Sequence, residues 1–259
     1  MNKQYNIQVI ERAANIIEIL KKYPYGISLK EITKEVEINK TTIFRILSTL
    51  ITLKYIIQDN VSGKYMLGYK FIELSNAVIE RFDVRKSSRP YLEDLALITG
   101  EVIHLVILDD NQGLYIDKVE NSKATIRMHS VIGNRTFLHS SGVGKVLLSY
   151  LSEQEILNIV QKKGLIKFTE NTITTLEDLM IEIKKIKKLG YSIDEMENEE
   201  GIRCVACPIF DYNGAVVASV SIAGPTLRIT KERLPELIYL LVECTSKISS
   251  DLGYLGNKD

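Results

Sequence analysis

Residues 39–68, NKTTIFRILSTLITLKYIIQDNVSGKYMLG, decide how the front of this chain folds. At about 100° per residue, Thr41, Thr42, Arg45, Ser48, Thr49 and Thr52 fall in one arc roughly 120° wide. Ile43, Phe44, Ile46, Leu47, Leu50, Ile51 and Leu53 fill the remainder. The spacing predicts a two-faced helix over residues 40–53, opened by Asn39 as N-cap. Its outward arc of one cation and five hydroxyls suits phosphates and base edges better than a protein core. Two short β-prone runs, 55–58 and 64–67, flank the turn Asn60-Val-Ser-Gly63 and predict a hairpin wing.

Upstream, Ile10, Ala13, Ala14, Ile17 and Leu20 form one stripe of a first helix, residues 9–22, closed by Pro24 and Gly26. Ser28-Leu-Lys-Glu31 reads as a capping box opening a second helix over 29–36. Two helices about a three-residue turn make a helix-turn-helix, so the candidate DNA contacts are Lys40, Thr41, Thr42, Arg45, Ser48 and Thr49, with Lys64 on the wing. Arg45 leads, because a guanidinium can bond guanine in bidentate fashion.

Charge is distributed in the same sense. The chain has 33 basic and 33 acidic residues, yet residues 1–86 carry 14 of the former against 9 of the latter. A basic front and an acidic back place any polyanion at the N-terminal region. No run approaches the roughly 18 apolar residues that span a bilayer, and the first residues lack the apolar core of a signal peptide, so a cytoplasmic location is expected. Three cysteines, an odd number, argue against a disulfide framework.

Past Gly68, Phe71, Leu74, Ser75, Val78 and Phe82 keep helical spacing, and this connecting helix leaves an apolar stripe that a second copy of the chain would cover. Pro90 is expected in the first turn of the next helix, which ends near Gly100. Strands are predicted at 102–108, 114–119, 126–130, 204–210 and 215–222. Helices are predicted at 143–150, 153–162, 176–189 and 231–250. An antiparallel sheet flanked by helices follows, giving the α+β class.

Three blocks together resemble the IclR family of bacterial transcriptional regulators over nearly the whole chain. They are TTIFRILSTLITLKYI with KYMLG, LHSSGVGKVLLSYL, and GIRCVACPIFDYNGAVVASVSIAGP. RMHSVIGNRTFLHSS and GPTLRITKERL are similar to the branch that answers ketodeoxygluconate. The resemblance implies a winged helix-turn-helix over 1–69, a connecting helix over 70–86 and a GAF-like domain over 87–259. It also implies a dimer or dimer of dimers on a palindromic operator, a small organic acid as effector, and repression more often than activation. The effector pocket of the family falls on Gly142 and Val143 for backbone donors and on Asp194, Cys204 and Ser221 for side chains, with Met128 as a wall. Asp194 favours a polyhydroxy acid over a bare one, since a carboxylate accepts hydroxyl protons. Where some members carry a second hydroxyl beyond the serine, this chain has Ala223.

Other chemistry finds little footing. Ser140-Ser-Gly-Val-Gly-Lys-Val146 is no phosphate loop, because His139 and Val146 stand where a Walker motif needs Gly and a hydroxyl. What remains is a Gly-containing helix entry able to hold a carboxylate, or two glycines that serve only close packing. Cys204 and Cys207 lack the second pair a zinc site needs and face opposite sides of a strand. His104, His129 and His139 form no triad, so neither a catalytic residue nor a cofactor is expected, and His104 reads as a satisfied core residue.

Overall fold

In the computed structural model, which describes residues 7–79, 83–120 and 130–256, the chain divides into two units, Met1–Arg81 and Phe82–Asp259. The first contains helices α1 (Gln8–Lys21), α2 (Leu29–Glu35) and α3 (Lys40–Thr52), strands β1 (Ile56–Gln58) and β2 (Tyr65–Leu67), and helix α4 (Lys70–Ile79). Local chemistry sets its boundaries. Ser28 Oγ accepts from the Glu31 N–H at 3.3 Å while Glu31 Oε2 accepts from the Ser28 N–H at 2.9 Å, and Asn39 Oδ1 accepts from the Thr42 N–H at 2.8 Å. Each such cap contributes about 1 kcal/mol by satisfying a free helix-end donor. The apolar faces of the three helices meet at Ile16, Leu20, Ile32, Ile43 and Leu47, with Ile56 and Tyr65 of the wing closing the core. Ile27 pairs with Tyr65 in both directions, which ties the approach to α2 onto the wing.

The second unit opens with α5 (Asp83–Thr99), and here the expectation for Pro90 fails: it lies inside the helix, not in its first turn. Proline removes one helical hydrogen bond at a cost of about 3 kcal/mol. Pro90 faces solvent, and the buried side chains Val84, Leu92, Leu95 and Ala96 on either side of it bind the helix to the core, which more than offsets that cost at roughly 1.5–3 kcal/mol for each large one.

Six antiparallel strands follow in the spatial order β5-β4-β3-β8-β7-β6. They are β3 (Val102–Asp109), β4 (Gln112–Val119), β5 (Arg135–Thr136), β6 (Ser192–Glu195), β7 (Ile202–Phe210) and β8 (Val216–Pro225). Helices α6 (Gly142–Ser149), α7 (Glu153–Lys163) and α8 (Leu176–Leu189) intervene, and α9 (Leu234–Asp251) ends the unit. The fold class is α+β. Alternation along the strands sends Ile103, Leu105, Val205, Cys207 and Val220 to one face, under α5 and α9. Val106 and Ala206 face the other way, under α6, α7 and α8.

Strand β6 was not anticipated, because Ser-Ile-Asp-Glu has no apolar run, and neither was the two-residue β5. The expected strand at 126–130 falls, but for Ser130, on residues 121–129, outside those described. Among the described residues no helix is long and apolar enough to cross a membrane.

Candidate functional site

Thirteen consecutive residues make the first candidate surface. On α3, Lys40, Thr41, Arg45, Ser48 and Thr49 are exposed and Thr42 is half-buried, while Lys64 is exposed just before β2. Arg45, Thr42 and Thr49 border a cleft of about 300 Å³ against Val9 and Ala13 of α1. Two details differ from the sequence reading. Ser48, Thr49 and Thr52 donate their hydroxyl protons to the carbonyls of Phe44, Arg45 and Ser48, at 2.9, 3.0 and 3.0 Å, so outwardly they offer lone pairs and methyl groups in place of donors. Phe44 and Leu53, assigned to the apolar side, are each 53% exposed. Both lie within about 40° of the edges of the polar arc, at the margin of the apolar face.

The second candidate is a cavity of about 350 Å³ in the other unit, within the range of small-ligand sites. Gly142, Val143, Asp194, Cys204 and Ser221 all line it, joined by His104 and Tyr115. Met128 lies outside the described residues. Strand register explains the convergence. His104 on β3 pairs with Ser221 on β8, and Cys204 on β7 pairs with Asp194 on β6. All four sit on the sheet face that α6 covers, where the helix presents its N-terminus. Cys207 points into the opposite core, as alternation requires.

The entry to α6 is built from close contacts. Ser141 Oγ accepts from the Gly144 N–H at 3.2 Å. A Cβ on Gly144 would stand 2.5 Å from Leu138 Cα, and one on Gly142 would stand 2.9 Å from Cys204 Sγ. Both glycines therefore serve packing, and Gly142 with Val143 also presents backbone to the cavity. Gly142 N–H lies against the Cys204 sulfur and Gly144 N–H is taken by Ser141, and the positive end of the helix dipole favours negative charge at this entry.

Burial sets the electrostatics of the cavity. Burial pushes the Asp194 carboxyl up to about 7, and the charge of Glu197 adds to this. Asp194 Oδ1 accepts from the Glu197 N–H at 2.7 Å, and its Oδ2 is 3.7 Å from Cys204 Sγ. Burial and the Asp194 charge raise the Cys204 thiol well above its ordinary value, so it stays protonated. Burial also holds His104 neutral, down to about 3, with its Nδ1 3.3 Å from Ser221 Oγ and its Nε2 2.7 Å from Ser130 Oγ. His104 is thus satisfied, as expected, but it is a wall of the cavity, which was not. Among the described lining residues the only cation, Arg135, is paired with Asp109.

Lys145 is the other residue that sequence reasoning missed. It is fully buried, with Nζ 2.8 Å from the Ile193 carbonyl and 2.5 Å from Glu197 Oε1. It thereby pins the segment that carries Asp194 against α6, leaving Glu197 Oε2 without a partner. A signal existed: one lysine inside the run Val143-Gly-Lys-Val-Leu-Leu148 interrupts a helix whose every residue is buried. Among the described residues no cluster of ligands fit for a metal is found.

Both parts of the chain match known proteins. Residues 9–60 match the IclR helix-turn-helix domain, and residues 76–250 match the C-terminal domain of bacterial IclR transcriptional regulators. The HTH-type transcriptional regulator KdgR of Escherichia coli K12 is 38% identical over 228 residues, covering 88% of this chain and 86% of that one. The HTH-type transcriptional repressor AllR of the same strain is 32% identical, covering 96% and 92%. The crystal structure of the Thermotoga maritima IclR, 35% identical, superposes with a TM-score of 0.81 over 96% of this chain and 100% of that one.

Proposed function

Since the chain belongs to the IclR family of bacterial transcriptional regulators and is not an enzyme, we propose that it is a repressor of genes for carbohydrate-acid breakdown, and that a small polyhydroxy or keto acid controls its hold on the operator. 2-Keto-3-deoxygluconate is the leading candidate, in keeping with the similarity to KdgR; the similarity to AllR, a repressor by name, supports the sign of regulation.

The observation that carries this reading is the mixed polar lining of the cavity. Its lining brings the Gly142–Val143 entry of α6, suited to a carboxylate, together with Asp194, Ser221 and neutral His104, suited to hydroxyl or keto oxygens. Among the described lining residues the one cation, Arg135, is paired with Asp109, and the positive end of α6 supports recognition of an anion here. Asp194, near half-protonation at neutral pH, is able to donate as well as accept. Occupation of the cavity has only to change operator affinity by about 1–3 kcal/mol to make a useful switch, and two copies on a palindromic site would double its effect.

A thermal-shift screen of hexuronate-derived keto acids, aldonic acids and short 2-keto acids tests the reading. Polyhydroxy keto acids should raise the melting temperature and release a bound operator duplex. Stabilisation by none of them, or stabilisation with unchanged operator affinity, would sink it.

A further inference from the structure

The reading helix bears a large apolar side chain in the open. Phe44 is 53% exposed and lies outside the buried cluster of its unit, although Ile43, Ile46 and Leu47 around it are sunk into that cluster. Phenylalanine is a mediocre helix former, so its presence owes nothing to helix stability. Leaving it in water also forgoes much of the roughly 1.5–3 kcal/mol that burial of such a side chain returns. A single exposed phenylalanine on an arbitrary helix would mean little. This one stands at the rim of the arc that carries Arg45, with Thr41 and Ser48 one turn away on either side.

The hydroxyl bonds of α3 bear on the same point. With Ser48, Thr49 and Thr52 donating to backbone carbonyls, the hydrogen-bond donors that α3 offers outward dwindle to Arg45, Lys40 and the first threonines. Of the neighbours one turn from Phe44, Ser48 has its proton engaged by the Phe44 carbonyl and so offers no donor outward. In the major groove the one apolar feature of a base pair is the thymine C5-methyl group, and aromatic and methyl-bearing side chains recognise it by contact.

We propose that Phe44 is a base-reading residue, packing on a thymine methyl beside the base pair that Arg45 contacts. This rests on the assignment of α3 as the DNA-reading helix and adds a position at which the operator is read by shape and hydrophobic contact. It commits each half-site to a thymine that the hydrogen-bonding residues alone would leave unspecified.

The test uses the full-length chain. Duplexes are selected from a random pool with the wild-type protein, and each thymine of the enriched sequence is then replaced singly by uracil, which deletes the methyl and keeps the base pair. One replacement in each half-site should weaken wild-type binding by about fourfold, the worth of one buried methyl group. Phe44→Ala, which loses the contact in both half-sites, should bind the thymine duplex as weakly as the wild type binds a duplex carrying uracil in both, and should be indifferent to the replacement. Phe44→Leu should keep part of the response. The melting temperature of Phe44→Ala, measured alongside, should match the wild type, since the side chain is exposed.

Wild-type binding that ignores every uracil overturns the proposal. So does a Phe44→Ala protein that still discriminates thymine from uracil. A loss of affinity equal on both duplexes, accompanied by a change in sedimentation, also overturns it and gives Phe44 to a contact between protein chains. Failure of the wild type to enrich any sequence would instead remove the DNA-reading assignment of α3 itself.

Discussion

The proposed reading helix and the proposed effector cavity are built on opposite plans. All but one of the candidate DNA contacts come from α3, a helix of 13 residues, and need no partner from elsewhere to be presented. The cavity takes its walls from β3, β4, α6, β6, β7 and β8, and residues 117 positions apart, His104 and Ser221, meet in it side by side. An exposed helix face can therefore change residue by residue at almost no cost in stability. A cavity assembled from distant strands cannot, because each wall residue is also a packing residue. A regulator gains from the division, since operator preference can drift while the sensor stays fixed.

The largest expected effect sharpens that contrast. Lys145→Ala leaves Glu197 as an uncompensated buried carboxylate, and breaking a buried pair of this kind costs about 3–5 kcal/mol. In a unit of this size, thermal unfolding followed by circular dichroism should show a drop of about 10 °C, with Lys145→Ala/Glu197→Gln recovering a part of it. A drop of a degree or two would mean that the segment holding Asp194 is not secured through Lys145. On the other side of the comparison, Arg45→Ala should lower affinity for the selected operator by about 100-fold when both copies on a palindrome lose the contact. Its stability should stay within about 1 kcal/mol, because the side chain is exposed. Fluorescence anisotropy and a melting curve on the same sample decide it, and a large loss of stability would break the contrast.

What was legible in the sequence follows the same line. Asn39, Ser28 with Glu31, and the two-faced pattern of α3 are local signals, and the structure carries them out within a residue or two. Alternation likewise placed Cys204 and Cys207 on opposite faces of β7. The failures are non-local. Whether His104 is a core residue or a cavity wall depends on what lies over the sheet, and that is α6, nearly 40 residues further on. Strand β6 exists because Ser192 and Asp194 are buried against β7 and α6, a fate that no hydrophobic pattern announces. Lys145 looked like a fragment of a phosphate loop since its true partners, Ile193 and Glu197, lie some 50 residues away. Phe44 was misjudged for a different reason: a hydrophobic residue at the margin of an arc was counted with the core.

A smaller effect is expected from Asp194→Ala. If the carboxyl bonds ligand hydroxyls, its removal should weaken the response to a polyhydroxy acid by about tenfold or more, the loss of one hydrogen bond to a charged or charge-capable group. Operator affinity without ligand should be unchanged. A dose response equal to the wild type would remove Asp194 from recognition, and a parallel loss of operator binding would show that the cavity and the reading helix are less separable than their construction implies.

The last effect concerns pH. Asp194 holds its proton up to about 7 in the folded chain against an ordinary aspartate value of 3.8, because burial and the neighbouring Glu197 disfavour the charge. A group whose folded pKa is raised stabilises the fold fully below its unfolded pKa, and that contribution is lost as pH rises through the folded value. Wild-type stability should accordingly fall between about pH 4 and pH 7 relative to Asp194→Asn, by roughly 3 °C for each kcal/mol lost. His104 works with the opposite sign, since burial lowers it from 6.5 to about 3 and the unfolded chain takes up its proton first. It is present in both proteins, so the difference between their melting curves isolates the carboxyl cluster. Parallel curves across this range would mean that Asp194 ionises freely in the fold, and the cavity would then meet an acid ligand with a full negative charge in place of a shared proton.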